Sequence, residues 1–292
     1  MKHNEKKETT METIGLSNCG KAVNEQLFID YAEAGITAME ISRPTEEYES
    51  LDYESMIAWG NRHGVTLWSC HLPFMPFGTL DISAPHLAAG TVARLTELIR
   101  RGAGAGVKLF VVHPSGEPIE EADRPVRMAC AKESLRALAE VAAEVDATIA
   151  VENLPRTCLG RNVEEMEELV GAHPNLRVCF DTNHLLSGDP VELIHRLGDK
   201  LVTVHVSDYD FINERHWLPG EGKLDWNGVV DALRAVGYAG PWLYEIPFNC
   251  PNTIIRPRDL TCADFAENAK AVLAGKKPPI LSTPKPNLGM WD

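Results

Sequence analysis

Short apolar runs alternate with longer stretches of helical periodicity from one end of this chain to the other. The runs occupy 13–19 (TIGLSNC), 37–42 (TAMEIS), 65–71 (VTLWSCH), 109–114 (LFVVHP), 147–153 (ATIAVEN), 176–182 (LRVCFDT), 201–208 (LVTVHVSD) and 241–246 (PWLYEI). Most are near-continuously apolar rather than alternating, the pattern of strands covered on both faces. Between them, apolar residues recur at helical spacing, as in PVRMACAKESLRALAEVAAEVD, where Leu135, Leu138, Ala139, Val141 and Ala142 repeat with that period. Strands alternating with helices predict an α/β protein with a parallel sheet, and eight such repeats predict a single (β/α)8 TIM barrel spanning 13–275. An open doubly wound sheet is the structural alternative. Gly102, Gly104 and Gly106 in GAGAG follow a helical stretch and precede a strand, the reverse of a dinucleotide loop, so they are expected to cap and turn the helix end.

Outside that span lie a charged beginning, residues 1–12, and a Pro-rich end, 276–292, which read as a flexible arm and a tail outside the core that suggest a homo-oligomer. The formal charge is -14, with 42 acids against 28 bases, and no basic face is evident, so no nucleic-acid partner is expected. Seven cysteines occur without a CxxC pair, and the opening residues lack an apolar signal region. A reducing, cytoplasmic home and no membrane partner are the expectation.

In a closed barrel the C-terminal strand ends converge on one face, where the chemistry of such folds sits. Those ends carry His71, His113, Glu152, Asp181, His205 and Glu245 in chain order, with His184 three residues after Asp181. A lone histidine after a strand is most often a hydrogen-bonded structural residue, and an aspartate there often caps a turn. A carboxylate placed directly after an apolar strand is different, because burying it is costly unless it is paired or coordinated. Glu152, Asp181, His205 and Glu245 lie on four consecutive strands and would surround one point. Three carboxylates and one imidazole make a hard, oxygen-rich set suited to one Mn2+ or Mg2+, with Co2+ or Zn2+ as alternatives.

At HLPF, VVHPS, VENLP, FDTNH, VHVSD, ERHWLPGEGKLDW and YEI the chain resembles the xylose-isomerase-like TIM barrels, over roughly Ile14 to Leu273. That superfamily includes sugar isomerases and epimerases, inosose dehydratases and the endonuclease IV class of abasic-site nucleases. The resemblance implies that Glu152, Asp181, His205 and Glu245 bind the metal, that Glu152 and Glu245 form the acid/base pair, and that His184 contacts substrate. On this reading the cation chelates two adjacent oxygens of a hydroxy-ketone, and the two glutamates move a proton at the carbon between them through an enediolate. Return to the same carbon is epimerisation, and return to its neighbour is isomerisation. An inosose-type dehydratase is the alternative on the same site. With no phosphate loop evident, the expected substrate is a free sugar or a polyol-derived ketone. Trp68, Phe74, Trp217 and Trp242 are candidate stacking partners for a sugar ring, although aromatics in such places more often belong to the core.

The longest connection, SDYDFINERHWLPGEGKLDW, follows the seventh strand, and Asp225 in it is a candidate helix N-cap. Arg215 and His216 join His71, His113 and His184 as candidate substrate contacts. The ketose 3-epimerases carry their substrate arginine nearer the metal histidine than Arg215 lies to His205. The resemblance to endonuclease IV implies three zincs held with the help of His71, His113, His184 and an Asp-x-His pair, for which this chain has Glu214 and His216.

Overall fold

The computed structural model describes residues 11–74 and 79–291. The parallel strands are β1 (Ile14–Ser17), β2 (Ala38–Ile41), β3 (Thr66–His71), β4 (Leu109–Val112), β5 (Thr148–Glu152), β6 (Arg177–Asp181), β7 (Leu201–His205) and β8 (Trp242–Tyr244). The helices are α1 (Glu25–Ala34), α2 (Tyr53–His63), α3 (Ala88–Ala105), α4 (Arg124–Glu144), α5 (Val163–Val170), α6 (Pro190–Leu197), α7 (Trp226–Ala235) and α8 (Cys262–Leu273). The strands pair in chain order from β1 to β7, with β8 on the free side of β1. A parallel bridge between Val206 and Tyr244, with Val206 N–H donating to the Leu243 carbonyl at 2.8 Å, joins β7 to β8 and brings the sheet round into the expected (β/α)8 barrel.

Strand pleating puts alternate residues inside the barrel. Leu109 and Val111 pack there with Ala150 and Cys179, while Phe110 and Val112 face outward into the larger core under the helices. The same alternation puts Glu152 two residues beyond Ala150, Asp181 two beyond Cys179 and His205 two beyond Thr203. The apolar plug of the barrel therefore passes directly into a polar layer at its C-terminal mouth.

Local signals act as their chemistry demands. Asn24, Asp52, Asn162, Asp189, Asp225 and Thr261 each accept a backbone N–H at a helix start. Gly102 and Gly104 lie inside the last turns of α3, and Gly106 alone is the left-handed cap, at φ 119°. Gly102 is there for packing, since a Cβ on it would meet the Phe110 ring at 3.0 Å. Among the described residues no helix is long and apolar enough to cross a membrane.

The Pro-rich tail, expected outside the core, lies against the barrel instead. Thr283–Pro284 pairs antiparallel with Ile254–Ile255. Lys285 N–H donates to the Thr253 carbonyl at 2.9 Å, and Leu281 N–H donates to Glu221 at 3.2 Å. These bonds are made by the backbone, so a segment with few apolar side chains is nonetheless held. Of the expected N-terminal arm, residues 1–10 lie outside the described residues; Met11 is buried in the core.

Candidate active site

The strands bring Glu152, Asp181, His205 and Glu245 together, with one potential ligand atom from each lying within 4.8 Å of the others. His205 Nδ1 stands 3.2 Å from Glu152 Oε1, 3.1 Å from Glu245 Oε2 and 3.8 Å from Asp181 Oδ2. Donors on adjacent corners of an octahedron with bonds of roughly 2.1 Å sit about 3 Å apart. Glu152, Asp181 and His205 are wholly inaccessible, and Glu245 is 13% exposed at its side chain.

Asp181 supplies the test of whether these residues suit a cation. Its Oδ1 accepts the backbone N–H groups of Asn183 at 2.6 Å and His184 at 3.1 Å, which fixes the carboxylate. Its Oδ2 is buried and has no hydrogen-bond partner among the described residues. A buried carboxylate oxygen left this way is costly, and it faces the common point of the other three donors. The set fits a hard divalent ion.

A second ring of groups surrounds these four. His71 Nε2 lies 2.9 Å and His113 Nε2 3.3 Å from Glu152 Oε2. His71 Nδ1 meets the Leu72 carbonyl at 2.9 Å, so this nitrogen carries the proton when the ring is neutral. His184 reaches the Asn153 carbonyl with Nδ1 at 3.1 Å and Glu214 Oε2 with Nε2 at 3.0 Å. Glu214 is tied in turn to Arg156 Nη1 at 2.8 Å, and Arg156 also grips Glu117. His216 Nδ1 meets the Glu245 carbonyl at 3.1 Å. The potential ligand atoms of His71, His113 and Glu152, and those of His184, Glu214 and His216, form two further groups with the same 4.8 Å spread.

Burial works against every charge here, and the neighbours decide which survive. For His71 the hydrogen bond and charge of Glu152 overcome burial and push the imidazole up to about 9. Burial also opposes charge on His184 and His205, yet Asp181, Glu152 and Glu214 hold the first, and Cys179 with Glu245, Glu40 and Glu152 the second, well above the ordinary histidine value. His113 goes the other way, because burial outweighs Glu152. Glu152 and Glu245 are held below the ordinary range, burial being overridden chiefly by His205. Asp181 is pushed well up by burial and by the charges of Glu245 and Glu152. The least comfortable anion is thus the one with the unsatisfied oxygen.

A cavity of about 230 Å³ opens over this layer, bordered by Phe74, His113, Arg156, His184, His216 and Glu245 among others. His71 and Glu152 lie buried beneath it. Phe74 is stacked on His113, with ring centroids 4.1 Å apart. Arg215 does not border the cavity: its Nε donates to Asp210 at 2.9 Å and an Nη donates to the Gly289 carbonyl at 2.6 Å, which binds the long loop to the tail. Arg156, four residues after Glu152, was not singled out in the sequence; its backbone is left-handed, φ 53°, and its side chain borders the cavity. Trp217 and Trp242 are core residues.

Glu40 was also missed. It is fully buried on β2, within hydrogen-bond distance of His205 Nε2 at 3.1 Å and accepting from Ser69 Oγ at 2.8 Å. The available signal was a glutamate inside AMEI, which cannot be buried among apolar residues without a partner.

A (β/α)8 barrel with a hard-donor cluster at the C-terminal mouth has the layout TIM-barrel enzymes use for catalysis. The chain belongs to the xylose isomerase-like TIM barrel family, whose model matches residues 28–261. It is 27% identical over 135 residues to a D-psicose 3-epimerase of Enterocloster bolteae, covering 43% of this chain and 42% of that one. It is 32% identical over 129 residues to a 3-dehydroshikimate dehydratase of Pseudomonas putida, covering 39% of this chain and 20% of that one. Matches to the first curated relatives span between 20% and 39% of their length. An L-ribulose 3-epimerase structure superposes with a TM-score of 0.74 at 19% identity, covering 90% of this chain and 94% of the other, which is a likeness of fold.

Proposed function

We propose that this barrel is a divalent-metal-dependent isomerase or epimerase of a sugar or sugar-derived ketone. The observation that carries the reading is the Asp181 oxygen, buried without a donor and facing the ligand atoms of Glu152, His205 and Glu245. The relatives named as 3-epimerases support it. Bound there, a cation such as Mn2+ would supply Lewis-acid polarisation of two adjacent substrate oxygens.

The chain's own groups then divide the work. Glu245 borders the cavity, so it is the base that meets the acidic C–H first. Glu152 is the second member of the pair. It lies under the cavity, hydrogen-bonded to His71 and close to His113, and His113 stands between it and the substrate side. His113 meets substrate hydroxyls, while His184, engaged at both ring nitrogens, holds Glu214 in the cavity wall and the buried walls exclude water. The size of the cavity suits one small sugar. Proton return to the original carbon on the opposite face epimerises it, and return to the adjacent carbon isomerises the substrate.

The test is solvent-deuterium exchange into ketoses, aldoses and inososes with added Mn2+, for the wild type and for Glu152→Gln and Glu245→Gln. Both variants are expected to lose exchange by about 10²-fold or more. Unchanged exchange in both would remove the acid/base assignment. A net loss of water in the product would instead make the enzyme a dehydratase, the activity of the Pseudomonas putida relative.

One observation favours a second reading. The groups His71, His113, Glu152 and His184, Glu214, His216 adjoin the first. Together they would suit a three-cation phosphodiester hydrolase of the abasic-site nuclease kind. A metal count separates the two: one equivalent per chain supports the sugar enzyme, and three zincs support the hydrolase.

A further inference from the structure

We propose that the outer cavity beside the catalytic one is a second subsite, built by the C-terminal tail, that takes the apolar ring of an aryl-substituted keto sugar whose hydroxy-ketone end reacts below. This deepens the proposed sugar-isomerase reading and rests on it. The outer cavity is about 700 Å³, and the inner one about 230 Å³. Ligand sites ordinarily span roughly 300–1,000 Å³. The inner chamber alone therefore accepts little more than one small ring, while the outer one has the volume of a complete site. The two share Glu117, Arg156 and His184 as common wall, so a molecule reacting beside Glu245 extends directly into the outer cavity.

The outer walls have a specific chemistry. Phe211, Ile212, Met290 and Trp291 border it, exposed by 40%, 40%, 45% and 81%. Half of the large apolar side chains exposed among the described residues thus gather round one opening, and such gatherings mark binding surfaces. They are also held in place. Asn213 Nδ2 donates to the Met290 carbonyl, Arg215 donates to the Gly289 carbonyl at 2.6 Å, and the Trp291 ring lies 6.0 Å from the Arg156 guanidinium. Phe211 sits in the left-handed region at φ 64°, a conformation that costs a bulky residue energy and persists where the surroundings impose it. Asp210 imposes it by accepting the N–H groups of Ile212 at 2.9 Å and Asn213 at 3.2 Å.

The charged side chains of the outer wall that could serve a second sugar are already engaged. Arg156 is held by Glu117, Asn213 and Glu214, and Arg161 by Glu121. Beside the Ser187 hydroxyl, what remains on offer is flat apolar surface with an exposed indole, which stacks on an aromatic ring.

The experiment is a titration, read by intrinsic tryptophan emission and by calorimetry, of the Mn2+-loaded protein with phenyl and methyl glucosides of both anomers and with cellobiose. Phenyl glucosides are expected to bind at least tenfold more tightly than methyl glucosides and to alter the emission of Trp291. In Trp291→Ala and Phe211→Ala that preference is expected to fall below threefold, with thermal midpoints unchanged as evidence of folding. Absence of phenyl glucoside binding, equal binding of phenyl and methyl forms, or a preference that survives both substitutions would overturn the proposal. Cellobiose binding more tightly than the phenyl glucosides would overturn it in favour of a sugar-binding subsite. Failure of the broader reading looks different: the phenyl preference would be present while neither the sugars of the exchange screen nor a phenyl ketoglucoside takes up deuterium.

Discussion

Glu40 and His205 form a buried carboxylate–imidazole contact, 3.1 Å from the histidine's Nε2, on the side opposite the three acids that face its Nδ1. A carboxylate in this position fixes the ring orientation and raises the basicity of the other nitrogen. Replacing Glu40 with Gln is therefore expected to weaken Mn2+ binding roughly 10- to 100-fold while the fold is retained. Calorimetry on the metal-free protein measures it, and an unchanged affinity would show that Glu40 does not support the site.

A cation bound as proposed would compete with a proton for the His205 imidazole. His205 is held well above its ordinary value, burial being overcome by Cys179 and the carboxylates of Glu245, Glu40 and Glu152, so the metal-free ring favours the proton that a metal ligand must lose. Metal binding should release about one proton per ion, and affinity should rise with pH by up to about tenfold per unit between pH 6 and 8. Calorimetric enthalpies in two buffers of different ionisation heat count the protons directly. Zero release would mean that His205 is already neutral or is not a ligand.

The pairing of His71 with Glu152 makes the metal-free protein sensitive to base. The folded value of about 9 lies above the roughly 6.5 of an unfolded histidine. The stability it contributes is complete below about pH 6.5 and is lost as pH rises through about 9. With EDTA present, the thermal midpoint should decline over that window, and His71→Asn should flatten the decline. A midpoint that rises from pH 7 to 9 would reverse the sign of the argument.

Arg215 acts at a distance from the reaction. It is buried against Asp210 and bound to the Gly289 carbonyl, so Arg215→Ala leaves a buried acid without its cation and frees the tail. Breaking such a pair costs about 3–5 kcal/mol. Limited proteolysis should cut the tail faster, and Arg215→Lys should restore less than half of the lost stability, because lysine lacks the second donor.

The eight strands were legible because each buries both faces and so reads as an apolar run. Glu152, Asp181, His205 and Glu245 were legible because polar residues stand where those runs end. Glu40 escaped because it lies within its strand, with Ile41 following, so its partner on β7 is invisible in the local pattern. Arg156 escaped because a left-handed turn, not periodicity, directs it to the cavity. The tail escaped because it contributes main-chain groups to the bonds that hold it, and these leave no trace in its side-chain pattern. Arg215 drew attention as a charged residue near the mouth, but its partners are a loop acid and a tail carbonyl.

The tail's mode of attachment has an evolutionary corollary. Because its anchors are carbonyl and amide groups that any residue provides, codons near 290 can mutate with little risk to the eight-stranded scaffold. Selection acting on those few positions could reshape the outer cavity, leaving Glu152, Asp181, His205 and Glu245 untouched.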